Sequence, residues 1–317
     1  MRRRDLLSLG AVAGLSATSL AACAPKDARV TLVLGDQQRG QRLAADASKV
    51  FDGAPYKVEW ANFSTPTPLF EAASSGSVDT LVAIDNLVLL GAILGRPYKI
   101  VAAAASSSKG IGILVPANSD IRSVAQLKGR KIIVSTAPGG TADAVLYAAI
   151  REAGLKDGDI KPGYMLQPDA LAAFQNGQIE AWATNDPNLA RAQAQGARLL
   201  RDGEGINKSV TFLAASDKAL ADPRKRPALR DALGRIAKAR AWTTANLDAY
   251  ATYYAAQTSM TPELAHTTLA RRGDQPWSPI NPQIIAAAQA VTNDYADRGI
   301  FPKRADVTGF FDPTVFG

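Results

Sequence analysis

Apolar and polar positions along this chain alternate between a two-residue and a 3.6-residue rhythm, the signature of strands and helices in turn. Arg29–Leu34 reads as a strand ending at Gly35, and Arg39–Phe51 has helical spacing. Tyr56–Trp60 reads as a strand, Pro66–Ser75 as a helix, Thr80–Ala83 as a strand, Leu87–Leu94 as an apolar helix and Lys99–Ala104 as a strand. After the apolar run Ile111–Val115 a second series begins: strands at Lys131–Val134, Tyr164–Gln167, Glu180–Ala183 and Arg198–Arg201, and helices at Ala142–Ala153, Pro168–Phe174 and Asn188–Gln195. Ser209–Ala215 returns as an apolar strand. The C-terminal third is Ala-rich and helical, over Ala228–Ala256, Pro262–Arg271 and Pro282–Arg298.

One pattern occurs twice. Ser75-Gly76-Ser77-Val78-Asp79-Thr80-Leu81-Val82-Ala83-Ile84-Asp85 aligns without a gap on Asn176-Gly177-Gln178-Ile179-Glu180-Ala181-Trp182-Ala183-Thr184-Asn185-Asp186, 101 positions later. Each copy reads as a helix end, a Gly turn, an acidic residue, a short apolar strand and an Asp placed to cap the next helix. Two such units a domain apart, within two alternating series, imply an α/β chain of two lobes with parallel-type sheets. The path leaves lobe one near Ile113–Pro116 and returns near Val210–Ala215. Residues 23–113 and 214–317 then make a discontinuous lobe one, and residues 114–213 make lobe two. Two crossing strands form a hinge, with a cleft at the carboxyl ends of both sheets.

Residues 1–22 stand apart as an export signal. Arg2-Arg3-Arg4 is a basic start, and the mostly apolar stretch to Ala22 is too short to span a membrane. Arg3-Arg4 with Asp5-Leu6-Leu7 resembles a twin-arginine signal, and three arginines equally make an ordinary basic n-region. Leu20-Ala21-Ala22-Cys23 resembles the lipobox of bacterial lipoproteins, which implies that Cys23 is lipidated and becomes the mature N-terminus. Cys23 is the chain's one cysteine, so no internal disulfide forms. Apolar residues are 47% and charged residues 21% of the 317, as a packed globular protein requires. The net charge is +7, and losing residues 1–22 leaves about +5. The basic cluster Arg224-Lys225-Arg226 to Lys238-Arg240 reads as a solvated helix face, with no nucleic-acid partner.

With one histidine, His266, there is no Ser–His–acid set, no Cys–His pair and no zinc cluster. Phosphate-cradling Gly–Lys loops and dinucleotide fingerprints are also absent. A carboxylate pair or a lysine base stays open at this point, though nothing in the chain points to one. What the chain offers is equipment for an anion. Ser135-Thr136-Ala137-Pro138-Gly139-Gly140-Thr141 runs from a strand into a helix, and its hydroxyls, its glycine backbone and the helix start favour negative charge. Ser64 and Thr65 occupy the matching turn of lobe one, and Gln38 and Arg39 follow its first strand. Asp85 and Asp186 read first as helix caps, with Asp186 also a candidate for ligand contact. Trp182 reads as packing and Trp277 as a cleft wall.

The stretch Ile121-Arg122-Ser123-Val124-Ala125-Gln126-Leu127-Lys128-Gly129-Arg130-Lys131-Ile132 resembles the lobe-two entry of solute-binding proteins of nitrate/sulfonate/taurine ABC transporters. Glu152-Ala153-Gly154-Leu155, Asp159-Ile160-Lys161-Pro162, Pro168–Phe174, Gly177–Trp182 and Asp186-Pro187 continue the resemblance. Tyr295-Ala296 and Gly299-Ile300-Phe301-Pro302-Lys303 are similar to its aliphatic sulfonate-binding branch. Roughly residues 29–306 are covered. The resemblance implies a type II periplasmic-binding-protein fold, an extracytoplasmic monomer that closes on a small anion such as a sulfonate, and delivery to an ABC permease, with no catalytic residue, no cofactor and usually no metal. It places ligand contacts in Gly35–Arg39, Ser64–Thr67 and Ser135–Thr141, and adds an arginine of the helical tail, Arg271 or Arg272, of which Arg272 is taken. Related branches take taurine, nitrate, aromatic acids or pyrimidine vitamin precursors. A desulfinase-like enzyme on the same fold is the rival of another class; it needs a cleft cysteine, which Cys23 does not supply. Asn185, where the family often has Trp, and the Gln275–Ile280 segment depart from the pattern.

Overall fold

A computed structural model describes residues 29–135, 138–206, 209–273 and 275–316. The expected export signal, Cys23 and Thr136 lie outside these described residues. The first series is β1 (Thr31–Gln37), α1 (Gly40–Ser48), β2 (Lys57–Phe63), α2 (Pro66–Ser74), β3 (Thr80–Ile84), α3 (Asp85–Ile93) and β4 (Tyr98–Ser106). The second is β5 (Ile111–Val115), β6 (Lys131–Ser135), α4 (Thr141–Glu152), β7 (Lys161–Met165), α5 (Gln167–Gln175), β8 (Ala181–Asn185), α6 (Asn188–Ala194) and β9 (Arg198–Asp202). The chain then returns through β10 (Ser209–Ser216), α7 (Asp217–Ala221), α8 (Lys225–Ala245), α9 (Leu247–Thr258), α10 (Pro262–Arg272), β11 (Ser278–Pro279) and α11 (Pro282–Asp297).

Among the described residues these strands form a six-stranded sheet, ordered β11-β4-β10-β3-β1-β2, and a five-stranded sheet, ordered β7-β6-β8-β5-β9. Both are mixed, where alternation alone predicts parallel sheets. β10 runs antiparallel to β3 and β4, and β5 runs antiparallel to β8 and β9. The reason is connectivity: β5 and β10 enter their sheets from the cleft side, so they point against the strands that end there. All of Ile111–Val115 pairs in the second sheet and all of Ser209–Ser216 in the first. The crossings therefore fall between β4 and β5 and between β9 and β10, a few residues before the boundaries 113/114 and 213/214.

Each sheet is buried on both faces. One face of the first packs on α2, α3 and α11 through Leu69, Leu89, Phe212 and Tyr295; the other packs on α8 through Leu32, Leu213, Leu229 and Leu233. The second sheet lies between α4 and the α5–α6 pair. The repeat is structural. Gly76 (φ 68°) and Gly177 (φ 72°) end α2 and α5 in the left-handed conformation that glycine adopts without a Cβ clash. β3 and β8 follow at the same offset.

The copies differ where lobe one recruits the C-terminal helices. Asp79, 3% exposed, accepts from Val33 N at 2.8 Å and from Lys225 Nζ at 2.7 and 2.8 Å. Its counterpart Glu180 is exposed and pairs with Arg130 at 3.4 Å. The start of α8 is thus not a merely solvated face: Lys225 neutralises a buried carboxylate, and Arg226 and Arg230 bind Asp312, Thr314 and the Val315 carbonyl.

Candidate functional site

The carboxyl ends of β1, β3 and β4 and the start of β10 meet on the cleft side of the first sheet. A cavity of about 280 Å³ opens there. That is at the small end of the roughly 300–1,000 Å³ typical of small-molecule sites. Gln37 and Gln38 come from the end of β1, Ser106 from β4, Thr211 from β10, and Arg272 from the last turn of α10. Helix α8 contributes Ile236, Ala239, Arg240 and Thr243, which share one helical face by their i, i+3, i+4, i+7 spacing. Among the described residues the whole lining belongs to lobe one.

Arg240 is held in place. Its Nε donates to Gln275 O at 2.6 Å, its Nη2 to Ser106 Oγ at 2.8 Å, and its guanidinium lies 5.3 Å from the Trp277 ring centroid. Trp277 is 5% exposed and forms a wall of the cavity. Two guanidinium groups and an indole face thus converge on one small volume. Planar guanidinium forks suit oxyanions, because they present paired donors in fixed geometry.

The start of α1 is already occupied. Asp36, 2% exposed, accepts from Gln41 N and Arg42 N at 2.8–3.2 Å, and burial pushes its carboxyl above the usual range. A ligand anion in this cavity therefore depends on the arginines more than on that helix. Gln38 and Arg39 both adopt left-handed backbone, φ 53° and 60°. Such consecutive non-glycine positions cost about 1–2 kcal/mol each. They are held by Gln38 N on Phe63 O at 2.9 Å, Arg39 N on Asn62 Oδ1 at 2.7 Å and Arg39 Nη2 on Gln257 Oε1 at 3.1 Å.

The sequence-derived candidates divide. Gln38 and Arg272 line the cavity, and Arg39 adjoins it. Ser64 and Thr65 are exposed on the turn into α2 and do not line it. Ser135 is 3% exposed, and its hydroxyl donates to Thr184 Oγ1 at 2.9 Å while accepting from Trp182 Nε1 at 3.0 Å. That network is internal to lobe two.

Gly139 and Gly140 lead into α4, but the Gly139 peptide serves the lobe contact. Its amide donates to Asp143 Oδ2 at 2.9 Å, and its carbonyl accepts from Asn86 Nδ2 at 2.7 Å and Tyr295 OH at 3.3 Å. Asp143 also accepts from Tyr164 OH at 2.9 Å and faces Arg298 at 3.9 Å.

Asp186 caps Ala190 N at 2.9 Å and pairs with Arg271 across the lobes at 3.6 Å. Loss of hydration raises its carboxyl to about 6 despite that arginine. Asp85, its repeat mate, is raised to about 6 for the same reason. Asp186 thus lies beside Arg271, and Asp85 near Tyr295.

Arg240 escapes a reading of charge runs, because it sits among the basic residues of α8. The signal that finds it is its phase: it shares a stripe with buried Ile236 and Ala239.

A model of the NMT1-like family matches residues 36–258. The chain is 28% identical to the alkanesulfonate-binding protein SsuA of Xanthomonas axonopodis pv. citri, solved bound to MOPS. The match covers 89% of this chain and 98% of that one with a TM-score of 0.77. It is 27% identical to the periplasmic aliphatic sulphonate binding protein SsuA of Escherichia coli, over 90% and 94% of the two chains, with a TM-score of 0.80. A curated relative from Escherichia coli (strain K12), provisionally named as an aliphatic sulfonates-binding protein, is 29% identical over 309 residues, 96% of this chain and 95% of its own.

Proposed function

The chain belongs to the NMT1-like family, and from that premise we propose that it is the extracytoplasmic solute-binding protein of an ABC importer, taking a small sulfonate. The observation that carries the reading is the lobe-one cavity. It joins Arg240, Arg272 and Trp277 at the carboxyl edge of the sheet, in a chain similar along nearly its whole length to sulfonate-binding proteins. An anion seated there and covered by lobe two is removed from water, where its interaction with guanidinium strengthens as the local dielectric falls. Asp186–Arg271 and the Gly139 cluster are the contacts that hold the closed form. No reaction is part of this reading, since the relatives matched along nearly the whole chain are named as binding proteins.

Thermal unfolding with and without candidate anions tests it. Ligand that binds only the folded protein, at a hundredfold over its Kd, stabilises by about 2.7 kcal/mol. Short alkanesulfonates are expected to raise the melting temperature, and nitrate, aromatic carboxylates and pyrimidines to leave it unchanged. A shift with one of those groups instead replaces the sulfonate as ligand. Delivery to a permease and anchoring by a lipid on Cys23 complete the proposal. Metabolic lipid labelling should be lost in Cys23→Ala, and labelling that persists in that variant removes the anchor.

A further inference from the structure

Resting on the binding reading above, we propose that closing the lobes takes up a proton on Asp186, so that the anion is captured more tightly at mildly acid than at neutral pH.

Asp186 does not line the cavity. It follows β8 in lobe two, and its side chain is 9% exposed. Three elements close around it. Its own helix α6 supplies Ala190 N, which donates to Oδ1 at 2.9 Å. The crossing between β4 and β5 supplies Gly110, whose carbonyl accepts from Asp186 N at 2.7 Å; a Cβ there would stand 2.9 Å from Oδ2. The last turn of α10, from lobe one, supplies Arg271, whose Nη1 comes to 3.6 Å from Oδ1. Among the described residues neither Oδ2 nor Arg271 Nη1 has a hydrogen-bond partner. At the lobe contact the carboxylate thus gives up water for one amide and one long ion pair. An ionised carboxyl placed so is costly, and a proton relieves it.

The other charged groups of these elements are engaged elsewhere. Lys109 pairs with Glu204 at 2.9 Å and Asp202 with Arg201 at 3.1 Å, and Arg191 Nη1 donates to Asn188 Oδ1 at 3.4 Å. Burial accordingly raises the Asp186 carboxyl to about 6, against the pull of Arg271. When the lobes part, the carboxyl returns to water and to an ordinary value of about 4. The closed form therefore binds the proton more tightly than the open one. Closure gains stability as pH falls through about 6 and gains no more below about 4.

Helix α10 connects this proton to the ligand. Arg272 follows Arg271, lines the cavity, and accepts at its carbonyl from Ser107 N at 2.8 Å on the same crossing. The turn that offers a guanidinium to the anion is the turn that meets Asp186.

Titration calorimetry of the full protein with ethanesulfonate, from pH 7.5 to pH 5, checks this. A sulfonate stays ionised throughout, so the proton belongs to the protein. Kd should fall roughly tenfold over that range, with about one proton taken up per ligand at the acid end, read in buffers of different ionisation enthalpy. Asp186→Asn has the shape of the protonated acid and should bind tightly at both ends, with no proton uptake. Arg271→Gln removes the charge that opposes the rise and should move the midpoint to higher pH, which the loss of a merely structural contact would not do.

Two other groups serve as controls: Asp85, and His266, which pairs with Asp248 on lobe one at 3.1 Å. A pH profile that Asp85→Asn or His266→Gln flattens while Asp186→Asn keeps it overturns the inference. So does a parent Kd that is flat or that falls as pH rises. If ethanesulfonate binds at no pH, the sulfonate reading falls, and small-angle scattering of the unliganded protein decides the proton alone. The parent should be more compact at pH 5 than at pH 7.5, and Asp186→Asn equally compact at both. Equal dimensions of the parent at the two pH values then overturn the proton uptake.

Discussion

Arg240→Ala and Arg272→Ala are each expected to weaken sulfonate binding roughly tenfold to a hundredfold, or about 1.5–3 kcal/mol, the usual contribution of a hydrogen bond to a charged group. The two losses differ in character. Arg240 is fixed by Gln275 O and Ser106 Oγ and lies over Trp277, so its removal also frees the indole that walls the cavity. A lysine there keeps the charge but cannot hold both partners and stack at once. Arg240→Lys should therefore recover little of the affinity. Titration calorimetry with the tightest sulfonate decides the matter, with thermal unfolding of the unliganded variants as the check on folding. Variants at both positions that bind like the parent remove the anion from this cavity.

Asp143→Ala should lower the melting temperature of the unliganded protein by roughly 5–10 °C, from a loss of about 3 kcal/mol. The carboxylate is 2% exposed and accepts from Gly139 N and Tyr164 OH while facing Arg298. Alanine leaves the Gly139 amide without an acceptor in a buried place, where an unmade hydrogen bond costs more than a made one contributes. The change should also weaken ligand binding, because the Gly139 carbonyl held by this turn receives Asn86 and Tyr295 from lobe one. Asp143→Asn keeps an acceptor oxygen and should fall between parent and alanine. A shift under about 2 °C for Asp143→Ala means that the turn holds its shape without the carboxylate.

Much of the scaffold was legible in the chain, because the elements rest on local physics. The Gly76 and Gly177 turns and the apolar strands after them are each decided within a dozen residues, whereas Asp85, which reads as a cap, is the first residue inside α3. The 101-residue repeat reappears as β3 and β8 at the same offset. Strand direction was not legible: alternation predicts parallel pairing, and the paths of β5 and β10 through the cleft, with the return of β11, make antiparallel pairs. Lys225 was not legible either. Its partner Asp79 is 146 positions away, so a basic residue in a basic run carried no sign of neutralising a buried carboxylate.

The site divides along the same line. Sequence determined that loops rich in hydroxyls, amides and glycine end the strands at a cleft, and it found Gln38, Arg272 and Trp277 near it. Tertiary packing decided which donors face the cavity. Ser135 turned inward because Trp182 Nε1 and Thr184, buried beside it, needed a partner. The Gly139 peptide was committed to Asp143, Asn86 and Tyr295, which arrive from three different elements. Arg240 entered the site because the apolar stripe of α8 must pack on the first sheet, and that packing aims its guanidinium at Ser106 and Trp277. A backbone turn is a short-range property and can be read from its own residues. The facing of a side chain depends on partners that the fold brings from a hundred or more positions away.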